Sequence, residues 1–259
     1  MTSATAAPER PLLEIKGVTK RFGAVEALTD VDFEVNAGEV VALVGDNGAG
    51  KSTLIKAIAG IQPGDEYDAY WNGESIHLNT PQDATRQGIA TVYQDLALCD
   101  NLDVVSNLFL GKEEVEGGIT RFARALDEID MEERSVDLLK SLSVRTLRSV
   151  RTEVASLSGG QRQTVAIARS MLGEPKVVIL DEPTAALGVQ QTRQVLDLIL
   201  RLKERGLGVV LITHNVLDVF EVSDRVVVLR LGRRVATFET AKTNQDEVVA
   251  AITGASQVR

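Results

Sequence analysis

Short apolar runs in the first part of the chain predict β-strands. The segments "LLEIKGVTKRF" (12–22), "VDFEV" (31–35) and "EVVALV" (39–44) are rich in β-branched residues and are separated by glycine or Asn-Ala-Gly turns. Further along, "YWNGESIHL" (70–78) contains an Asn-Gly pair, the strongest short-range signal for a two-residue hairpin. We therefore expect a strand-rich N-terminal part with a tight turn at Asn72-Gly73.

Two later segments open with near-continuous apolar runs, "VVILDEP" (177–183) and "GVVLIT" (208–213). Such runs are typical of strands that are buried on both faces of a parallel sheet. The segment between them, 190–206, has the pattern of an amphipathic helix that ends at Gly206. This alternation of strand, helix and strand predicts an α/β core.

The middle of the chain, 95–172, has a helical pattern and several acidic stretches. We expect it to form a helical subdomain inserted between two parts of the core, 12–94 and 173–254. Loose tails are predicted at 1–11 and 255–259. Five apolar residues of the helical block follow a rough helical stripe and are predicted to be core: Leu126, Ile129, Val136, Leu139 and Leu142.

Composition narrows the class of protein. The 259 residues are 44% hydrophobic, which suits a soluble globular protein with a substantial core. The net charge of −9 gives the chain no overall attraction for nucleic-acid phosphates. A single cysteine excludes an intrachain disulfide and a Cys-rich metal site. No stretch approaches the roughly 18 apolar residues of a membrane span, so any work at a membrane requires a partner.

The segment "GDNGAGKS", Gly45 to Ser52, fits the pattern G-x-x-x-x-G-K-[ST] between a predicted strand and a predicted helix. In this pattern backbone N–H groups converge on phosphate oxygens, Lys51 reaches the β- and γ-phosphates, and the Ser52 hydroxyl ligates Mg²⁺. Nucleotide contacts are predicted for the whole loop: Gly45, Asp46, Asn47, Gly48, Ala49, Gly50, Lys51, Ser52 and Thr53. The chain carries one such loop and hence one nucleotide site.

Asp181 and Glu182 follow the apolar strand 177–180. A carboxylate at the end of a buried strand beside a phosphate loop is placed to hold Mg²⁺ through water. The next carboxylate can act as a general base on an attacking water. The acceptor-pocket pattern of a kinase is absent, so the pair favours hydrolysis.

Five motifs in a fixed order resemble the ATP-binding-cassette (ABC) ATPases: "GDNGAGKST", "VYQD" around Gln94, "LSGGQ" (157–161), "VVILDEP" and "THN" around His214. The resemblance covers about 12–254. It implies a P-loop NTPase core of the α/β class, with a mixed sheet, an N-terminal antiparallel β part and an inserted helical subdomain. ATP and Mg²⁺ are the implied cofactors.

The resemblance also implies that two chains pack head to tail, because the family's LSGGQ loop serves the nucleotide of the opposite subunit. Ser158, Gly159, Gly160 and Gln161 are thus expected to contact the partner's ATP. The residues support this independently, since the loop precedes the helical run "RQTVAIARSML" and a helix N-terminus attracts anions.

Further roles are carried over by the resemblance. Gln94 matches the switch glutamine that senses Mg²⁺ and water, His214 the histidine that contacts the γ-phosphate, and Phe22 the aromatic residue that stacks on adenine. The implied catalytic set is Glu182, His214, Gln94 and Lys51, and the implied metal set is Ser52, Gln94 and Asp181. One position departs from the family: "AALG" has Gly188 where "SALD" has an aspartate. Hydrolysis is expected to survive this change, and coupling between the two sites is expected to differ.

Three segments, "VYQDLALCDNLDVVSNLFLG", "DEPTAALGV" and "DEVVAAITGA", resemble the monosaccharide-import branch of the family. That resemblance implies a peripheral subunit on the cytoplasmic face of a bacterial inner membrane. It pairs with itself or with a sister cassette, and works with a transmembrane permease and an external sugar-binding protein. One alternative is a soluble cassette protein that acts on nucleic acid or ribosomes, which the single cassette and the negative charge disfavour. Another is an exporter or lipoprotein-type cassette, which the sugar-branch segments disfavour.

Overall fold

The computed structural model describes residues 10–114, 126–144, 147 and 149–255. The predicted tails lie almost wholly outside these ranges. The strands in the described ranges are β1 (Leu13–Phe22), β2 (Val25–Val35), β3 (Val40–Val44), β4 (Glu66–Trp71), β5 (Glu74–Ile76), β6 (Ile89–Val92), β7 (Val177–Asp181), β8 (Gly208–Ile212), β9 (Arg225–Arg230) and β10 (Arg233–Glu239). The α-helices there are α1 (Lys51–Ile58), α2 (Pro81–Gln87), α3 (Val104–Phe109), α4 (Glu128–Ser141), α5 (Gly159–Met171), α6 (Val189–Glu204), α7 (Val216–Val222) and α8 (Gln245–Thr253).

A six-stranded sheet in the order β10-β9-β3-β8-β7-β6 forms the centre of the fold. All its neighbouring pairs are parallel except β10 with β9. The side chains of β3 and β8 are buried along their whole length, as expected for a sheet covered on both faces. One face packs against α3, α4, α5 and α6, and the other packs against α1 and the second sheet. The predicted α/β class is confirmed.

The second sheet is antiparallel and has the order β2-β1-β4-β5. Asn72 and Gly73 connect β4 to β5 with φ values of 50° and 83°. Two positive φ angles are what a type I′ hairpin turn requires, so the predicted tight turn is confirmed. The strand predicted at 31–35 is longer than expected and begins at Val25.

The predicted apolar stripe of the helical block was partly wrong. Leu126 and Ile129 are 46% and 75% exposed. The buried face of α4 is formed instead by Met131, Ser135 and Leu139, spaced four residues apart. Ile129 precedes Met131 by two residues, which turns its side chain by about 200° around the helix axis. The predicted core positions Leu139 and Leu142 are buried, and Val136 packs partly against the core.

The parallel strands bring several loops to one edge of the central sheet. The residues that follow the carboxyl ends of β3, β6, β7 and β8 lie at this edge, because parallel strands end on the same side. In the ranges given above, none of the helices combines the length and the apolar character needed to cross a bilayer. The subdomain boundaries at 95 and 172 stay a prediction.

Candidate nucleotide-binding site

The phosphate loop lies where it was predicted, between β3 and α1. Two glycines fix its path. A Cβ atom on Gly45 would lie 2.3 Å from the carbonyl oxygen of Leu229. Gly50, the N-cap of α1, has φ 104°, and a Cβ atom there would lie 2.8 Å from Cδ2 of Leu28. These contacts exclude larger residues, so the loop backbone lies closely against its neighbouring strands.

The start of α1 has the properties of an anion site. The backbone N–H groups of residues 50–53 have no hydrogen-bond acceptor in the described part of the chain. The first turn of α1 contains no acidic residue. Nζ of Lys51 donates to the carbonyl oxygens of Gly45 at 2.7 Å and Asp46 at 3.1 Å. A row of unpaired amides at a helix N-terminus beside an ammonium group fits the phosphates of a nucleotide.

The acidic pair lies close to this loop. Asp181 ends β7, and its pKa is raised above the ordinary value, mainly because burial disfavours the charged form and also because of the charge of Glu182. The positive charges of Lys51 and Lys56 act in the opposite direction. β3 and β7 are parallel strands on either side of β8, so the phosphate loop and the acidic pair that follow them lie at the same edge of the sheet, as the sequence predicted.

Glu182 is held in an unusual backbone conformation. Its φ is 51°, and its N–H donates to the carbonyl of Ile212 at 2.9 Å, across from β7 to β8. Only a few per cent of non-glycine residues adopt this conformation. Oε2 of Glu182 is buried and accepts no hydrogen bond from the residues that the structure describes.

His214 follows β8 and lies beside that carboxylate. Its Nδ1 lies 2.8 Å from Oε2 of Glu182, although the contact lacks the direction of a hydrogen bond. The His214 side chain is 72% exposed. The histidine therefore lies between the buried carboxylate and the surface, where a bound phosphate can reach both groups.

Gln94 is exposed and lies two residues beyond the end of β6. The segment that follows it is fixed by Arg169 of α5, which donates to the carbonyl oxygens of Leu96 and Ala97 at 2.7 Å each. Burial lowers the pKa of Arg169. The two carbonyl oxygens replace hydrogen bonds to water that the guanidinium loses when it is buried. Sequence reasoning did not find this anchor, because more than 70 residues separate its ends.

Phe22 is the last residue of β1 and pairs with Val25 at the start of β2. Its ring is 45% exposed, and Nζ of Lys20 lies 5.8 Å from the ring centroid. A ring this exposed at a strand end is not part of a core and is accessible to a ligand.

The "LSGGQ" segment begins α5. Ser158 is the N-cap residue: its Oγ accepts from the N–H of Gln161 at 3.4 Å, and its own N–H donates to Oε1 of Gln161 at 2.9 Å. Gly160 is buried, and a Cβ atom there would lie 2.9 Å from Cβ of Gln191 on α6. The second glycine is thus required for packing of α5 on α6, a constraint that the sequence analysis did not anticipate.

The described residues contain no group of three or more His, Cys, Asp or Glu side chains able to hold a metal by themselves. A nucleotide-bound Mg²⁺ takes most of its ligands from phosphates and water, so Ser52, Gln94 and Asp181 fit that ion only together with a nucleotide.

Sequence reasoning also missed Asp218, a buried carboxylate on α7 that contacts Thr184 and Asn215. The signal "NVLD" (215–218) has the spacing of a helix start, but nothing in it identifies Thr184.

Comparison with known proteins agrees with this geometry. Residues 28–185 match the protein family described as "ABC transporter". The fructose import ATP-binding protein FrcA of Rhizobium meliloti is 45% identical over 96% of this chain and 96% of its own length. The xylose/arabinose import ATP-binding protein XylG of Sulfolobus acidocaldarius is 47% identical over 93% of this chain and 94% of its own length. A solved structure of a nucleotide-free ATP-binding cassette from an ABC transporter superposes with a TM-score of 0.80 at 26% identity, covering 94% of this chain and 96% of that one.

Proposed function

Since the chain belongs to the ABC transporter family, we propose that it is the ATP-hydrolysing subunit of an importer of monosaccharides. One observation carries the proposal: unpaired amides and Lys51 on one side, and the acidic pair with His214 on the other, meet at a single sheet edge. The first group fits the phosphates of ATP, and the second fits an attacking water.

In this proposal the loop binds ATP before any chemistry begins. The amides of residues 50–53 donate to phosphate oxygens, and Lys51 leaves its contacts with the loop carbonyls for the β- and γ-phosphates. Ser52, Gln94 and Asp181 are the side chains that would hold Mg²⁺. When bound, the ion neutralises phosphate charge and so favours attack by water.

Glu182 is the proposed general base. Its buried Oε2 accepts no hydrogen bond from the described chain, so it is available to a water molecule. As the water oxygen bonds to the γ-phosphorus, the bond from phosphorus to the ADP oxygen breaks and the water proton passes to Glu182. His214 lies 2.8 Å from that carboxylate oxygen, where it can contact the γ-phosphate and orient the water.

A second cassette completes the site in this proposal. Ser158, Gly159 and Gln161 begin α5 at its exposed end, and they contact the nucleotide of the partner, which is a second copy of the chain or a sister cassette. ATP then holds the two cassettes together, and hydrolysis releases them. Gly160 packs closely against α6 and so helps to hold the start of α5 in place.

The proposed membrane partner is a permease at the cytoplasmic face of a bacterial inner membrane, supplied by an external sugar-binding protein. A groove of about 360 Å³ lies next to the segment that follows Gln94 and includes Leu96, Leu110 and Arg169 in its walls. If the segment after Gln94 moves when ATP binds, the movement would be transmitted to the part of the permease that occupies the groove. The names of the two relatives described above support sugars as the cargo.

The test is uptake of labelled pentoses and hexoses by cells that carry Glu182→Gln at the native locus. Removal of the general base lowers hydrolysis by roughly 10²- to 10⁴-fold, so uptake of one sugar should collapse. Glu133→Gln, an exposed position on α4, is the matched control and should leave uptake unchanged. Normal entry of every sugar, combined with ATP hydrolysis by the purified wild type, would show that the cassette drives another process.

A further inference from the structure

We propose that Asp218 is a positioning residue, which holds Glu182 and His214 in their relative positions by joining the two loops that carry them. The inference rests on the proposed function in one respect only, namely that these two residues perform hydrolysis. The contacts themselves are independent of that function.

Asp218 is a buried carboxylate with two neutral donors. It lies in the first turn of α7 and is 4% exposed. Oδ2 accepts a hydrogen bond from Oγ1 of Thr184 at 2.7 Å, and Oδ1 accepts one from Nδ2 of Asn215 at 2.8 Å. No lysine, arginine or histidine of the described chain forms an ion pair with it. Each oxygen therefore depends on one side-chain donor from a different loop.

These two donors are close neighbours of the site residues in the chain. Thr184 lies two residues after Glu182, in a tight loop where the N–H of Ala185 donates to the carbonyl of Glu182 at 3.1 Å. Asn215 directly follows His214. Asp218 thus connects the loop after β7 to the loop after β8.

The loop after β8 is further fixed by Asn215 itself. The N–H of Asn215 donates to Oγ1 of Thr213 at 3.0 Å, and its Oδ1 accepts from the N–H of Leu217 at 3.1 Å. The amide side chain uses its oxygen to cap α7 and its nitrogen to bind Asp218. A movement of Asp218 is therefore transmitted to the backbone next to His214.

Loss of one donor leaves a buried carboxylate oxygen without a partner, which is costly enough to shift the loop. A displacement of about 1 Å in a reacting group can lower a rate by roughly 10²-fold. Binding of ATP depends on the phosphate loop, which Asp218 does not touch. The proposal therefore predicts a loss in kcat with little change in KM for ATP.

The test compares Thr184→Val with Thr184→Ser in the purified full chain. Thr184→Val removes the hydroxyl with little change in shape, and it should lower kcat by roughly 10- to 100-fold while KM for ATP changes little. Thr184→Ser keeps the hydroxyl and should restore most of the activity. Asn215→Ser is the second variant: it keeps an oxygen that can cap α7 but cannot reach Asp218, and it should act like Thr184→Val.

A second readout separates positioning from general stability. The chain has two histidines, His77 and His214, so the imidazole resonances in an NMR spectrum can be assigned by a single His77→Gln control. His77 is exposed and follows β5, far from Asp218 in the chain, and serves as an internal reference. Well below the unfolding temperature, Thr184→Val should shift the His214 resonances and leave those of His77 in place.

Two results would overturn the proposal. One is a normal kcat in a Thr184→Val protein of reduced stability, because Asp218 would then only support α7. The other is a reduced kcat with unmoved His214 resonances. Failure of the proposed function is distinct from both: the wild type would hydrolyse no ATP, while the effect of Thr184→Val on His214 would remain measurable.

Discussion

Nδ1 of His214 lies 2.8 Å from the buried Oε2 of Glu182, at the ends of the neighbouring strands β8 and β7. The two residues are 32 positions apart in the chain, and the parallel pairing of Asp181 with Ile212 brings them together. The contact lacks hydrogen-bond geometry, so this carboxylate oxygen accepts no hydrogen bond from the part of the chain that the structure describes. Its lone pairs are left for a water molecule.

This arrangement predicts a trapped dimer in Glu182→Gln. The amide cannot take a proton from water, but the phosphate loop and α5 are unchanged, so ATP should still join two chains. We expect a dimer in the presence of Mg²⁺ and ATP by size exclusion with light scattering, and a monomer in ADP. A Glu182→Gln protein that stays monomeric at saturating ATP would contradict head-to-tail closure.

Phe22→Ala should weaken ATP binding without destabilising the fold. Stacking of a base on an aromatic ring contributes about 1–3 kcal/mol, so Kd for ATP should rise roughly 5- to 140-fold. The Phe22 side chain is 45% exposed, and its removal leaves no cavity. Ile129→Ala removes a side chain that is 75% exposed on α4 and is the control. Equal ATP affinities for both variants, measured by calorimetry, would exclude stacking on Phe22.

Ser158→Ala should have two effects, of which only one is specific to the site. Loss of the N-cap on α5 costs about 1 kcal/mol, equivalent to a fall in Tm of about 2–4 °C. Thr80→Ala removes a similar capping box from α2 and should lower Tm by a comparable amount. In the Glu182→Gln background, the ATP-dependent dimer should be lost with Ser158→Ala and retained with Thr80→Ala. If the ATP-dependent dimer were retained in both variants, Ser158 would act only as the N-cap of α5.

Asp181→Asn should stabilise the protein near neutral pH when nucleotide and metal are absent. The folded state raises the pKa of Asp181, chiefly through burial, so its ionised form opposes folding. Protonated Asp181 contributes to the free energy of unfolding. This contribution is fully present below the pKa of an ordinary aspartate, about 3.9, and is lost as pH rises through the raised pKa that Asp181 has in the folded state. The Tm of Asp181→Asn, measured in EDTA, should therefore exceed that of the wild type at pH 7, and the difference should shrink in acid.

Asp83→Asn provides a control of opposite sign. The hydroxyl of Thr80 lowers the pKa of Asp83 below its ordinary value, so the ionised form supports folding and that support is lost as pH falls. Asp83→Asn should lower Tm at pH 7, with the difference again shrinking in acid. If Asp181→Asn instead lowered Tm at pH 7, burial would not be the main influence on Asp181.

The sequence predicted the parts of the fold that leave a periodic or compositional pattern. The phosphate loop and the buried strands β3, β7 and β8 are such features. The stripe of α4 was partly misplaced because Leu126 lies before the helix, which begins at Glu128, and because the buried face includes the polar Ser135, which an apolar pattern does not mark. Positions that interact across long stretches of chain leave no pattern, as the contact of Arg169 with Leu96 illustrates.

For single residues too, a local sequence pattern predicted some roles, whereas roles that depend on contacts between distant parts of the chain were missed. The pattern around Lys51 predicts a loop with a required geometry, and the loop is found there. Gly160 was assigned to the nucleotide from its motif, whereas the fold also requires it against Gln191. Asp218 could not be connected to Thr184, 34 residues earlier, without knowledge of how β7 and β8 pair.

Gly188→Asp is the substitution that tests how the two sites of a dimer communicate. Gly188 is the N-cap of α6, with φ −74° and ψ 161°, and a Cβ atom there meets nothing within 4 Å. An aspartate is therefore accommodated, and as an N-cap residue it should stabilise α6 by a few tenths of a kcal/mol. We expect the variant to fold with an unchanged or slightly higher Tm.

The informative quantity is the dependence of hydrolysis on ATP concentration. Gly188 precedes the exposed Val189 and follows the loop that carries Glu182 and Thr184, so a new carboxylate there can reach a facing chain. Coupling between the two sites should rise in Gly188→Asp and increase the Hill coefficient, whereas Gly188→Ala, which adds only a methyl group, should leave it unchanged. An identical Hill coefficient in both variants would mean that this position does not control coupling in this protein.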